Sequence, residues 1–191
     1  MPRGPRVVLN HGIFHVTIRG NNKRCLFRRD CDYIRFKELI RRYKIKFDFY
    51  LYHYALMKNH VHLILEVSEK TSLAKLMQGL ALSYYHHYRR KNKYVGHLWQ
   101  GRFKSHFIEN DKYLITAALY VEKNPVEAGI VSDPSEYRWS SYRYYGLGES
   151  DPIVDISPIY ESMGKNVKER QKVYSELILA RIAETKNNVD L

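Results

Sequence analysis

Hydrophobic and polar residues alternate along Ile13-Phe14-His15-Val16-Thr17-Ile18-Arg19, setting Phe14, Val16 and Ile18 against His15, Thr17 and Arg19. Successive side chains of a strand point to opposite faces, so this stretch predicts a half-buried β-strand. Gly20-Asn21-Asn22 marks a turn. Tyr33, Phe36, Leu39, Ile40 and Tyr43 then recur at three and four residues behind Asp30 or Asp32, either of which can cap a helix over about residues 30 to 44. Phe47 to Leu56 is rich in aromatics and alternates in two registers, which predicts a second strand running up to a turn before His60. His60 to Val67 returns as its hairpin partner. After Ser68-Glu69-Lys70, Thr71 or Ser72 opens an amphipathic helix with Leu73, Leu76, Met77, Leu80, Ser83 and Tyr84 on one stripe, reaching about Arg90. A glycine-bounded loop leads into a short strand from about Phe103 to Ile108.

This order, βαββαβ, predicts an α+β, ferredoxin-like antiparallel sheet with two helices on one face and the other face free for function. Asp111 can cap a further helix. Leu114, Ala118 and Val121 give it an apolar docking stripe, and Tyr113, Ala117, Tyr120 and Asn124 lie within one neighbouring arc. Pro125 disfavours helical geometry at Asn124, so the helix is expected to stop at about Lys123, with Asn124 at its final turn. Within Pro134 to Tyr145, Trp139 and Tyr142 are expected to pack back on the preceding elements. Gly146 to Pro158 is turn-rich and acidic and reads as a linker, and Ser157 to Ala183 as one or two helices. The expected division is residues 1–145 as the main domain and 146–191 as linker and helical extension. That extension could cover the sheet, bind a hairpin or mediate dimerisation.

Composition narrows the function. Thirty-two Lys and Arg against twenty Asp and Glu give a net charge of +12 among 191 residues, which favours a polyanionic partner. The accompanying 17 Tyr, 7 Phe and 2 Trp suit single-stranded nucleic acid, which is gripped by cations on phosphates and rings stacked on bases. No apolar run approaches the roughly 18 residues of a membrane span, and Met1 to Leu9 lacks the apolar core of a signal peptide. The expected setting is the cytoplasm, with no membrane partner. Cys25 and Cys31 suit neither a disulfide scaffold nor a four-ligand zinc site.

The candidate chemistry centres on His60 and His62. On a strand they share one face while Val61, Leu63 and Leu65 share the other, so two imidazoles emerge on the free face, beside His15 or Thr17 of the first strand. A histidine pair on a strand is more often packed or exposed than ligating, and two ligands are too few for a divalent ion. Asn124 offers a third, oxygen-type ligand and Tyr120, one turn before it, a nucleophile. Glu66 shares the histidine face as a further ligand or base, or as one side of a salt bridge across the hairpin. A bound Mg²⁺ or Mn²⁺ polarises a phosphodiester for in-line attack, and a tyrosine, with a reference pKa near 10, needs activation before it attacks.

These residues also carry a resemblance. His60-Val61-His62, Tyr120 and Asn124-Pro125-Val126-Glu127-Ala128-Gly129 resemble the single-tyrosine HUH transposases of the IS200-like class, and within it the REP-associated tyrosine transposases. The likeness runs from about His15 to Tyr145, through Arg19-Gly20-Asn21, Leu56-Met57-Lys58-Asn59, Trp99-Gln100-Gly101-Arg102 and Trp139-Ser140-Ser141-Tyr142. It implies His60, His62 and Asn124 as metal ligands, Tyr120 as the nucleophile that joins the 5′ phosphate, and single-stranded DNA beside an imperfect, REP-like hairpin as substrate. Lys58 departs from the family, whose members commonly carry proline in this turn. The family includes monomers and homodimers.

Arg19, Asn21, Arg89, Arg90, Lys91, Lys93, Trp99, Arg102 and Lys104 are candidate DNA contacts. Cations at a helix C-terminus equally suit the helix dipole, and a loop tryptophan is as often a packing anchor. The expected activity is that of a metal-dependent single-strand endonuclease and strand transferase. The competing readings are a nucleic-acid-binding module or repressor without catalysis, and a hydrolytic nuclease.

Overall fold

A computed structural model describes residues 11–187, and the N-terminal stretch read above as no signal peptide lies outside them. Four strands, β1 (Gly12–Arg19), β2 (Phe49–Met57), β3 (His60–Val67) and β4 (Lys104–Ile108), form one antiparallel sheet in the order β2-β3-β1-β4. Helices α1 (Asp30–Lys46) and α2 (Leu73–Asn92) follow β1 and β3, so the expected βαββαβ order is the observed one. Both cover the face that carries Phe14, Val16, Ile18, Val61, Leu63 and Leu65, and with Phe36, Ile40, Leu76, Leu80 and Tyr84 they form the main core. That core follows from the strand period of two meeting a helix stripe.

Local chemistry sets the helix ends. Ser72 caps α2 by accepting from the Lys75 amide. Asp32 acts from inside α1, its Oδ2 accepting from the amides of Arg28 and Arg29. Its Oδ1 takes the Lys91 ammonium at 2.5 Å and lies 3.6 Å from His87 Nε2, tying the start of α1 to the last turns of α2. Burial pushes this carboxyl's pKa up, but the Lys91 bond and the two amides outweigh it and hold it below the usual carboxylate range. Asp32→Asn is expected to cost about 1.5–3 kcal/mol in urea unfolding, the usual worth of hydrogen bonds to a charged group. The contribution is complete above the ordinary carboxylate pKa near 4 and is lost as pH falls through the lower folded value. The gap between wild type and variant should therefore close in acid. An equal gap at pH 7 and pH 3 would count against this anchor.

Strand β2 explains its own double alternation. Its pairing with β3 shifts between Leu51 and His53. Leu51, Tyr54 and Leu56 join the main core, whereas Tyr52, Ala55 and Met57 pack into a second cluster on the other face. His53 also turns to that second face, where it meets Glu122, so the bulge sends two consecutive side chains to one side.

On the second face lies α3 (Asp111–Glu127), packed through Leu114, Ala118 and Val121 against Ala55, Met57, Ile64 and Ile108. Two expectations are corrected here. The cap is Asn110, whose side chain accepts from the Tyr113 amide, and Asp111 is the first helical residue. The helix does not stop at Asn124 but continues through Pro125 to Glu127. Proline forfeits one backbone bond, yet buried Pro125 is held in a last turn closed by Ala128 N to Asn124 O at 2.9 Å and Ile130 N to Pro125 O at 3.0 Å.

Three more helices follow: α4 (Tyr142–Leu147), α5 (Pro158–Glu161) and α6 (Val167–Asn187). Trp139 stacks on Tyr33 with ring centroids 4.5 Å apart, and Tyr142 is buried. The stretch 146–158, read as a linker, is tied down. Asp155 exchanges two bonds with the backbone of Leu51, and Asp151 accepts from Lys37 Nζ and Tyr54 OH. With Leu56 N to Trp139 O and Ser141 N to Tyr54 O, this stretch covers the outer edge of β2. Among the described residues no helix is long and apolar enough to cross a membrane.

Candidate active site

The sheet register brings the chemistry together. Arg19 pairs with His60, Thr17 with both His62 and Lys104, and His15 with Ile64 and His106. The polar side chains of these three strands share the face that α3 partly covers. Between them and α3 lies a cleft of about 710 Å³. Tyr120 and Asn124 enter it one turn apart, as the helical spacing predicts.

Each histidine has a fixed orientation. His60 Nδ1 meets Asn59 Oδ1 at 2.7 Å, and its ring also pairs with the Asn124 side chain. His62 Nδ1 lies 2.9 Å from His15 Nε2 and 3.2 Å from Thr17 Oγ1. In both rings Nδ1 is the engaged nitrogen and Nε2 keeps the lone pair when Nδ1 carries the proton. The turn before His60 is held by Gly20 N to Asn59 O at 2.8 Å and Leu26 N to Lys58 O at 2.7 Å, so backbone bonds supply stiffness where the resembled family has proline. A Cβ on Gly20 would lie 2.5 Å from the Arg24 carbonyl, which is why glycine stands there.

Burial and neighbouring charge keep these rings neutral. Burial, then His15, His60 and Arg19, lower the His62 pKa to about 3. Burial, then His106, lower that of His15 to about 4. Burial and Arg19 also lower His60, against the opposing Asn124 bond. A neutral imidazole is the form that ligates a metal.

The half-exposed Tyr120 ring meets His62 and His15 edge-on, with centroids 5.5 and 5.7 Å away. Tyr113 also lines the cleft. The ring set against the histidines is that of Tyr120. Asn124 Nδ2 donates to the Tyr120 carbonyl at 3.3 Å, and the same side chain pairs with His60. Among the described residues no three His, Cys, Asp and Glu side chains are grouped to hold a metal. A donor set of two imidazole nitrogens and one carboxamide oxygen fits an open divalent site with room for phosphate and water. Glu66 is not part of it, because its carboxylate accepts from Tyr52 OH.

The remaining candidates fall in three places. Arg19 and Lys104 border the cleft that holds Tyr120 and Asn124. Asn21, Trp99 and Arg102 line a larger cleft of about 1150 Å³ between α2 and the loop before β4, on the side of the sheet that Ile18 faces. Trp99 is anchored there by Nε1 to Ala81 O at 2.9 Å, so it packs as well as lines. Arg89, Arg90 and Lys93 share an exposed patch with His86 at the end of α2. Lys91 does not join them, since its ammonium is committed to Asp32. His106 was missed by sequence reasoning, although Lys104 and His106 share one face of the expected strand.

Comparison with known proteins bears on the whole arrangement. A solved REP-associated tyrosine transposase bound to a REP hairpin shares the fold at TM-score 0.67 and 21% identity, over 82% of this chain and 96% of that one. A candidate transposase from Deinococcus radiodurans aligns at TM-score 0.44 and 13% identity, over 63% of this chain and 96% of that one, too distant to carry an argument. No curated protein matches the sequence. The family model for IS200-like transposases matches residues 9–124, well over half of the chain and inclusive of His60, His62, Tyr120 and Asn124, so the protein belongs to the IS200-like transposase family.

Proposed function

We propose that this transposase-family protein is a metal-dependent single-strand DNA endonuclease and strand transferase that acts beside imperfect, REP-like hairpins and holds the 5′ phosphate on Tyr120. One observation carries the reading: Tyr120 and Asn124 meet two neutral imidazoles in a cleft bordered by Arg19 and Lys104. In cleavage the Tyr120 phenol gives up its proton, its oxygen bonds to phosphorus, and the bond from phosphorus to the 3′ oxygen breaks to leave a protonated 3′ hydroxyl. The phosphotyrosine keeps the energy of the broken bond, so a 3′ hydroxyl can reverse the step and rejoin strands.

Arg19 and Lys104 draw the phosphate in, and the rings of His15 and His62 fix the plane of the Tyr120 ring. His60 and His62 through Nε2, with Asn124 through Oδ1, would hold Mg²⁺ or Mn²⁺. When bound, such an ion offsets phosphate charge and polarises the phosphorus. The hairpin partner is supported by the fold shared with the hairpin-bound transposase and by the basic patch of Arg89, Arg90 and Lys93.

The deciding experiment incubates the protein and Mn²⁺ with labelled single-stranded DNA carrying imperfect hairpins. The expected product is a denaturation-resistant adduct, with the label on the 5′ phosphate and peptide mapping to Tyr120. Two free DNA ends would favour a hydrolytic nuclease, and binding without cleavage across many hairpins a repressor. For the patch, Arg89→Ala and Arg90→Ala should each flatten the plot of log affinity against log salt by about one unit. An unchanged slope would mean that the patch does not touch the backbone.

A further inference from the structure

Glu122 lies on α3 between Tyr120 and Asn124, yet it is fully buried and faces away from the cleft. Its Oε1 accepts from Ser141 Oγ at 2.6 Å and lies 3.2 Å from both His53 Nδ1 and Tyr174 OH. His53 comes from the β2 bulge, Ser141 from the residue before α4, and Tyr174 from α6. All three are buried.

Such a group is expensive in a protein interior, and this one is incompletely satisfied. Among the described residues, Glu122 Oε2 and His53 Nε2 have no hydrogen-bond partner. An apolar side chain would dock the helix at lower cost, as Leu114, Ala118 and Val121 already do beside it. What the carboxyl adds is direction. Apolar packing tolerates rotation and sliding of a helix, whereas three donors from three elements converging on one oxygen fix both. Neighbouring contacts act in the same sense. Lys123 Nζ pairs with Glu127 Oε1 at 2.6 Å and reaches Thr185 Oγ1 of α6 at 3.4 Å, while Leu119 and Val126 pack on the cluster of Tyr145, Tyr174, Ile178 and Ile182.

We propose that α6 forms the back wall of the active site, with Tyr174, His53 and Ser141 locking Glu122 so that α3 presents Tyr120 and Asn124 at a fixed angle. Glu122 and Tyr174 are then positioning residues for strand cleavage. This rests on the strand-transfer reading given above, and α6 lies beyond the stretch matched by the family model. It also gives the C-terminal extension a role within its own chain.

The test compares full-length wild type with Tyr174→Phe and Glu122→Leu in three measurements: single-turnover adduct formation, hairpin-DNA affinity, and amide hydrogen exchange across α3 without DNA. The expected result is an adduct rate lower by about tenfold and α3 exchange faster by about tenfold, the scale of one lost charge-assisted bond. DNA affinity of the folded protein should stay within about twofold, and the thermal midpoint of Glu122→Leu should fall, because His53, Ser141 and Tyr174 stay buried without their acceptor. Unchanged adduct rate and unchanged exchange in both variants would overturn the proposal. So would a rate that falls only with the folded fraction. If wild type forms no adduct on any hairpin, the strand-transfer reading fails, and the exchange of α3 by itself then upholds or overturns the lock.

Discussion

Tyr120→Phe is expected to abolish the covalent protein–DNA product while leaving the fold, metal affinity and hairpin affinity close to those of wild type. The substitution removes one oxygen from a half-exposed ring. The phenyl ring keeps its edge-on contacts with His15 and His62, so the cleft should keep its shape. Since the lost oxygen is the one proposed to bond to phosphorus, the loss in adduct yield should exceed about a thousandfold, the scale on which removal of a nucleophile is felt. Tyr113→Phe is the control, because Tyr113 lines the same cleft, whereas the described ring contacts to His15 and His62 are those of Tyr120. Adduct yield measured on denaturing gels should separate the two variants completely. A Tyr120→Phe protein that still captures DNA, or a Tyr113→Phe protein that does not, would move the nucleophile to Tyr113.

How much of this was legible in the sequence depends on the distance over which each feature is decided. The alternation of Phe14, Val16 and Ile18, the stripe of α2 and the spacing of Tyr120 and Asn124 are decided within a few residues, and each reads directly as strand or helix. The facing of His60 and His62 onto Tyr120 follows once the βαββαβ order is read. Three features escaped because their causes are remote. The two registers of β2 meant a bulge, which periodicity registers only as a blurred alternation. Lys91 reads like its neighbours Arg89 and Arg90 until Asp32 is brought against it from α1. Glu122 carried a signal that went unused, since it continues the four-residue series of Leu114 and Ala118 along the buried side of α3. A carboxylate in an apolar series requires partners, but those at 53, 141 and 174 become visible only in three dimensions. The persistence of α3 through Pro125 is of the same kind: local preference opposes it, and burial of Pro125 outweighs that preference.

His62→Ala should produce the second large loss, and His15→Ala a smaller one of the same type. His62 is buried, and β1 holds its ring through His15 Nε2 and Thr17 Oγ1, so Nε2 is committed to one direction before anything binds. On the proposed ligand set, removing the ring would take away one of two nitrogen donors and leave His60 and Asn124, too few to retain Mn²⁺ at ordinary concentrations. His15 touches the same site through His62. Losing an orienting partner of this kind typically weakens a metal by about 10–100-fold, whereas losing the ligand itself should cost more. Titration of Mn²⁺ followed by electron paramagnetic resonance, on protein without DNA, reads both effects independently of catalysis. The expected order of affinity is wild type, then His15→Ala, then His62→Ala, with the DNA affinity of all three measured in chelator unchanged within about threefold. Equal Mn²⁺ affinity in wild type and His62→Ala would remove His62 from the ligand set. Equal losses in the two variants would make His15 a ligand in its own right, and the site one of three imidazoles.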